Sequence, residues 1–283
     1  MFDRLSRSWD LVQASWGVLR EDKELLLFPL ISSIAMLAIV ACFALPVIGI
    51  YGLDGLGHAF DGKTTLAQYT AAFLFYVVQY FVIFYFNAAL VGAAMIRLDG
   101  GNPSLSDGLS IASSKLGSIL GYALVAATVG MVLRMIQERV GFIGRIIVGM
   151  LGVGWTVATF LVVPVLVTRD VGPLDAVKES ALLLKKTWGE NVIGQAGMGF
   201  AFGLIFMGVV FCCIVVIGLA IASGSVALIV AAAIVALLAV GVTGLVQAAL
   251  AGIYSAALYR YATQGEGTPG FDSQAMKLAF APK

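Results

Sequence analysis

The residues best suited to hold a ligand form one cluster, Arg134, Glu138, Arg139 and Arg145. Guanidinium groups carry forked donors that match the oxygens of phosphates and carboxylates. The chemistry on offer is therefore binding of an anion or a lipid headgroup. On one continuous helix Arg134, Glu138 and Arg145 would share a face, because four and eleven residues return to nearly the same azimuth. Arg134 and Glu138 are also spaced for an i,i+4 ion pair. A second set is Gln79, Tyr80, Phe84 and Gln247. Gln79 lies within an aromatic run from Phe73 to Phe86, where an amide in hydrocarbon needs a partner, and Gln247 could supply it. This set reads either as an aromatic packing surface or as a cleft for a lipid tail.

Other chemistries lack their residues. Cys42, Cys212 and Cys213 all sit in apolar runs, and the single histidine, His58, lies in a loop rich in Gly and Asp. Neither a disulfide framework nor a zinc site is expected. No Ser-His-Asp set, phosphate-cradling loop or pair of intramembrane carboxylates can be assembled, so no catalytic residue, metal or cofactor is expected. Ion-coupled pumps usually need buried ionisable groups, which these apolar segments lack. A net charge of +1 gives no reason to expect nucleic acid as a partner.

The elements that would position these residues cross a membrane. From Val192 to Tyr259 there is no Asp, Glu, Lys, Arg or His, a run of 68 residues broken only by Ser223-Gly224-Ser225. A span needs roughly 20 apolar residues, so this run holds two. Across the chain the apolar segments are Leu25–Tyr51, Tyr69–Ile96, Gly117–Leu133, Ile146–Thr168, Val192–Ala222 and Val226–Tyr259. With both termini inside, the cytoplasmic segments hold 13 of the 17 Lys and Arg, and the outside keeps only Lys63, Arg134, Arg139 and Arg145. The positive-inside rule then places both termini in the cytoplasm. Ile39-Val40-Ala41-Cys42 resembles a lipoprotein cleavage box, yet 24 residues including five acids come before Leu25. A secretory leader starts with a short basic region, so a plain first span is expected. Pro164 should kink the fourth span. Gly117 with Gly121, Gly149 with Gly152, Gly199 with Gly203, and Ala248 with Gly252 are spaced for close helix packing.

Segments before spans one, three and five share an apolar stripe. Leu5, Trp9, Val12 and Trp16 become Leu105, Leu109, Ala112 and Leu116 on shifting by 100, then Val177, Ala181, Leu184 and Trp188 on shifting by 72. Each set falls on one helical face. Ser104 with Asp107 forms a capping-box pattern, and Pro173 suits a first helical turn. Trp9, Trp16 and Trp188 would anchor these helices at the membrane interface. The expected fold is an all-α six-helix membrane bundle, one domain of three amphipathic-helix-plus-hairpin units, 1–98, 99–170 and 171–262, with a cytoplasmic tail 263–283.

The block from Gly154-Trp155-Thr156 through Pro164 and Gly172-Pro173-Leu174-Asp175 to Lys185-Lys186-Thr187-Trp188-Gly189-Glu190-Asn191 resembles the signature of a bacterial six-span membrane family. That family is catalogued as a domain of unknown function, and the likeness covers most of the chain. A more distant likeness, in the layout of amphipathic helix and hairpin, is to the membrane domain of some glycerophosphodiester phosphodiesterases. Both resemblances imply a fold and bring no catalytic residue.

The functional expectation is a non-enzymatic protein of the bacterial inner membrane that binds or organises lipids or partner membrane proteins, including a second copy of itself. The alternative is a channel or carrier for an uncharged or lipid-like solute. A third class is a lipid enzyme that grips phosphate with Arg134, Arg139 and Arg145.

Overall fold

The computed structural model describes residues 13–51, 66–188 and 193–264. Among them every regular element is helical. Helix α1 covers 13–21, and a 3-10 turn at Lys23–Leu26 leads into α2, Leu27–Tyr51. Then follow α3 (Leu66–Leu98), α4 (Leu105–Ser114), α5 (Leu116–Arg139), α6 (Phe142–Ala158) and α7 (Val162–Thr168). The last three are α8 (Pro173–Trp188), α9 (Ile193–Ala222) and α10 (Val226–Gln264). Six segments are long and apolar enough to cross a membrane: Lys23–Gly49, Tyr69–Leu98, Leu116–Arg139, Phe142–Thr168, Gly203–Ala222 and Val226–Gln264. The chain is a multi-pass, all-α membrane protein. The third span runs on to Arg139 and the sixth to Gln264, both further than hydropathy alone suggests. Between α9 and α10 the turn closes through Gly224, whose φ of +68° strains any side chain with a Cβ.

By their contacts the residues group into two compact units, 1–26 with 94–102 and 185–283, and 27–93 with 103–184. In the first unit the core is built from Val18, Leu19, Leu25, Ala94, Leu98 and nearly every residue from Ala249 to Tyr259. Helix α10 has 39 residues and is about 58 Å long, against about 30 Å of hydrocarbon. Part of it must stand outside the bilayer core, and its buried C-terminal third is the part covered by protein. The 3-10 turn packs on α10, Arg97 Nη2 lies 2.7 Å from Glu21 Oε2, and Arg260 pairs with Asp99.

The second unit repeats this contrast between a bare span and a wrapped end. Ala88–Ala93 of α3 and all of Leu161–Leu166 are buried, as are Tyr122, Ala123, Ala126 and Ala127 of α5. Small residues set the contacts. A Cβ on Gly108 would come within 2.5 Å of Phe28 Cζ and 2.7 Å of Ala89 O, so α4 lies directly on the backbone of α3. A Cβ on Gly121 would meet Pro173 Cγ at 2.9 Å. Of the paired small residues in this unit, only Gly121 makes such an approach; Gly117, Gly149 and Gly152 face open space.

Pro164 does more than bend the fourth span. Its ring clashes with the carbonyl four residues earlier, Phe160, and it has no N–H to give. The helix is interrupted there, between α6 and α7. Ser180 of α8 fills the gap: its hydroxyl accepts from Leu161 N at 3.0 Å and donates to Ala158 O at 2.7 Å. Both backbone groups would otherwise be unpaired inside protein. With Ser180 fully buried and Ala176 and Leu184 one turn to either side, α8 lies along the broken span.

The apolar stripes are rotated slightly from their expected faces. In α8 the buried set is Ala176, Ser180 and Leu184, while Val177 and Ala181 are half-buried. In α4 Gly108 and Ala112 are buried and Leu105 and Leu109 half-buried, while Leu116, the first residue of α5, is exposed. In α1 Ser15, Val18, Leu19 and Asp22 are inside and Trp16 is exposed. Leu5, Trp9 and Val12 lie outside the described residues. The capping box of α4 forms as expected: Asp107 N donates to Ser104 Oγ at 3.2 Å and Ser104 N to Asp107 Oδ2 at 2.9 Å. Hydrogen bonds from the Ser104 side chain and backbone lower the pKa of the Asp107 carboxyl below its ordinary value.

Three outcomes test this account. Gly108→Ala should destabilise the fold by about 1–3 kcal/mol through overpacking, whereas Gly149→Ala should be neutral; thermal unfolding in mild detergent reads both. Ser180→Ala should cost about 1–3 kcal/mol by stranding two peptide groups, with Ser180→Thr milder, in the same assay. Because the Asp107 carboxyl is lowered in the fold, its contribution is present above the ordinary carboxylate value of 3.8 and lost as pH falls through the folded value. Amide exchange at 105–108 should therefore accelerate at acid pH in the parent and be fast at all pH in Asp107→Asn.

Candidate functional site

The segment 134–145 is not one helix. Helix α5 ends at Arg139, Val140 and Gly141 turn the chain, and α6 starts at Phe142. Arg134, Glu138 and Arg139 thus close one span while Arg145 stands in the first turn of the next, so the shared face expected for Arg134, Glu138 and Arg145 does not exist. The turn is tight, with a Cβ on Gly144 falling 2.5 Å from Val140 Cβ. The i,i+4 pair does form: Arg134 Nε donates to Glu138 Oε1 at 3.0 Å. Arg134 Nη1 also donates to the Tyr76 hydroxyl of α3 at 2.6 Å. Arg139 and Arg145 are exposed and make no ion pair or hydrogen bond among the described residues.

Several aromatic rings of α3 stack with one another and with rings of neighbouring helices. Tyr80 stacks on Phe84 at 5.6 Å between centroids, and Phe84 stacks on Tyr122 of α5 at 4.4 Å. Further along, Phe75 meets Phe43 of α2 edge-on at 5.1 Å. These rings join α2 to α3 and α3 to α5. Gln79 and Gln247 belong to different units, and neither amide is hydrogen-bonded among the described residues. Of the expected interfacial anchors, Trp16 is 48% exposed. Trp9 and the side chain of Trp188 lie outside the described residues.

Among the described residues a groove lies elsewhere, between α9 and α10. It is an open groove of about 490 Å³ lined by Ile205, Gly208, Cys212, Val216, Val235 and Ala236, among others. Its wall is apolar because both helices are apolar around their whole circumference. Small residues hollow it out: Gly208 has nothing within 4 Å of where a Cβ would be. The volume falls within the ~300–1,000 Å³ typical of small-molecule pockets. Only 6% of the most apolar part of span five is buried, so the groove opens at a level where acyl chains surround the protein. Hydropathy could not reveal it, because a groove floored by Gly, Ala and Cys reads as one more apolar stretch. Among the described residues no His, Cys, Asp and Glu cluster could hold a metal.

A recurring arginine also escaped the motif reading. Arg97, Arg169 and Arg260 stand near the C-terminal ends of the second, fourth and sixth spans. Each is paired with a carboxylate, Arg97 with Glu21, Arg169 with Glu179 and Arg260 with Asp99. Arg97 and Arg169 are 72 residues apart, the offset that also relates the second and third apolar stripes, and that coincidence was the available signal.

No curated protein matches the chain. The profile of one family, described as Family of unknown function (DUF6159), matches residues 66–271, from the start of α3 to beyond α10. The match covers well over half of the sequence, and the chain belongs to that family.

Proposed function

We propose that the protein is a non-enzymatic component of the bacterial inner membrane, with both termini cytoplasmic, that binds and organises lipid. The observation that carries this reading is the apolar groove between α9 and α10, at the depth of the hydrocarbon in the least protein-covered hairpin. Its lining can hold an acyl chain by dispersion contacts and offers nothing for a polar solute. The ligand is a membrane lipid held by its tail. A folded end wrapped in protein and spans left bare suit a protein whose working surface is the bilayer itself.

The same reading takes the chain as three units, each an amphipathic helix followed by a hairpin. Support comes from the paired arginines at the three hairpin ends, and from Gly108 and Ser180. These two residues are 72 apart, and each meets a backbone carbonyl of the preceding span, Ala89 and Ala158 respectively.

Filling the groove tests the lipid reading. Gly208→Leu would project into the groove, whereas Gly218→Leu on the same helix does not line it. In native mass spectrometry from mild detergent, G208L should lower the lipid-carrying population about tenfold, equivalent to ~1.4 kcal/mol, and G218L should match the parent. Equal lipid retention in all three proteins would sink the proposal.

A further inference from the structure

The tip of the α5–α6 hairpin combines two exposed charges with two exposed apolar side chains. Arg134 is satisfied within the protein by Glu138 and the Tyr76 hydroxyl. Arg139 and Arg145 are left with no ion pair among the described residues, and Glu138, the acid beside them, is already engaged. Between the two arginines Phe142 is 80% exposed and Ile143 73%. Leaving two such side chains in water forgoes the free energy of burying them. The exposed apolar surface does not stop at the tip. It continues down α6 through Ile146, Ile147, Met150 and Leu151, which belong to the span itself.

An occupant of this surface must take the apolar side chains of Phe142 and Ile143 and meet the positive charges of Arg139 and Arg145, three residues before Phe142 and two after Ile143 in the chain. A phospholipid leaflet does both, with Phe142 and Ile143 at the acyl boundary and the arginines reaching back to the phosphates. Two cations that no acid pairs with among the described residues favour a headgroup of net negative charge over a zwitterionic one. We infer that the α5–α6 tip is an anionic-phospholipid site, in which Arg139 and Arg145 bind headgroup phosphate oxygens while Phe142 and Ile143 seat in the leaflet. This rests on the lipid-binding reading above and adds headgroup selectivity, at a place in the chain separate from the groove.

The test is a competition on the full chain. Protein in mild detergent receives equimolar phosphatidylglycerol and phosphatidylcholine, and native mass spectrometry counts adducts of each. The parent should favour phosphatidylglycerol about fivefold. Arg139→Gln with Arg145→Gln should bring the ratio near one at unchanged thermal stability, and the double Lys variant should keep most of the preference. Gly208→Leu should lower total adducts and leave the ratio intact, which separates failure at the tip from failure of the groove. A parent ratio near one, or a preference that survives the double Gln variant, overturns the inference. So does a preference abolished by millimolar inorganic phosphate, since the site would then take free anions.

Discussion

The hydroxyl of Ser180 holds together a span that Pro164 breaks. A peptide group without a partner costs several kcal/mol in hydrocarbon and nearly as much in a dry protein interior, so a helix cannot be interrupted there for free. Serine answers both sides of the break, accepting from Leu161 N and donating to Ala158 O. An alanine would strand both groups and a leucine would not fit between them. The contact also fixes where α8 lies, and α8 in turn brings Glu179 to Arg169. Lys115, between α4 and α5, reaches the same turn through the Arg169 carbonyl and Asp170. One hydrogen-bonded hydroxyl thus anchors the arrangement of α4 to α8.

Two regimes of packing coexist along the same helices. Where a span meets lipid, tails are as apolar as leucine and nothing drives helices together, so bare surface carries no penalty. That accounts for exposed Leu204, Phe211, Leu219 and Leu237 on α9 and α10. Where helices are wrapped by other protein segments, the same residue types are covered, as Ala88 to Ala94, Leu161 to Leu166 and most of Ala249 to Tyr259 are. Amphipathic segments rich in small residues make that cover possible, because Gly108 and Ala112 let backbones approach within side-chain contact. The groove in the last hairpin is the other face of this rule. Gly208 and Ala236 are small where no protein fills the space.

Much of the fold could be read before any coordinates. Hydropathy found all six spans, Gly224 sits at the hairpin turn where the break in the apolar run fell, and Ser104 and Asp107 made their capping box. The site was less legible. Arg134 and Glu138 paired as their spacing required, yet a two-residue turn at Val140 and Gly141 put Arg145 on another helix. Tyr80 and Phe84 proved to be mortar between helices. The amphipathic faces were read mainly from large apolar side chains, whereas Gly108, Ala176 and Ser180, which hydropathy barely weighs, lie inside beside Ala112 and Leu184.

Local chemistry, then, is what the residues settle alone: which stretches are apolar enough to leave water, where proline forbids a helix, where serine caps one. These depend on neighbours within a few positions in the chain. Which of the arginines find an acid, which small residues touch backbone and which leave a groove depend on how separate helices pack, at sequence distances that reach 76 residues for Arg97 and Glu21. A sequence records the size and polarity of each side chain, but only the packed fold decides whether its surroundings are protein or lipid.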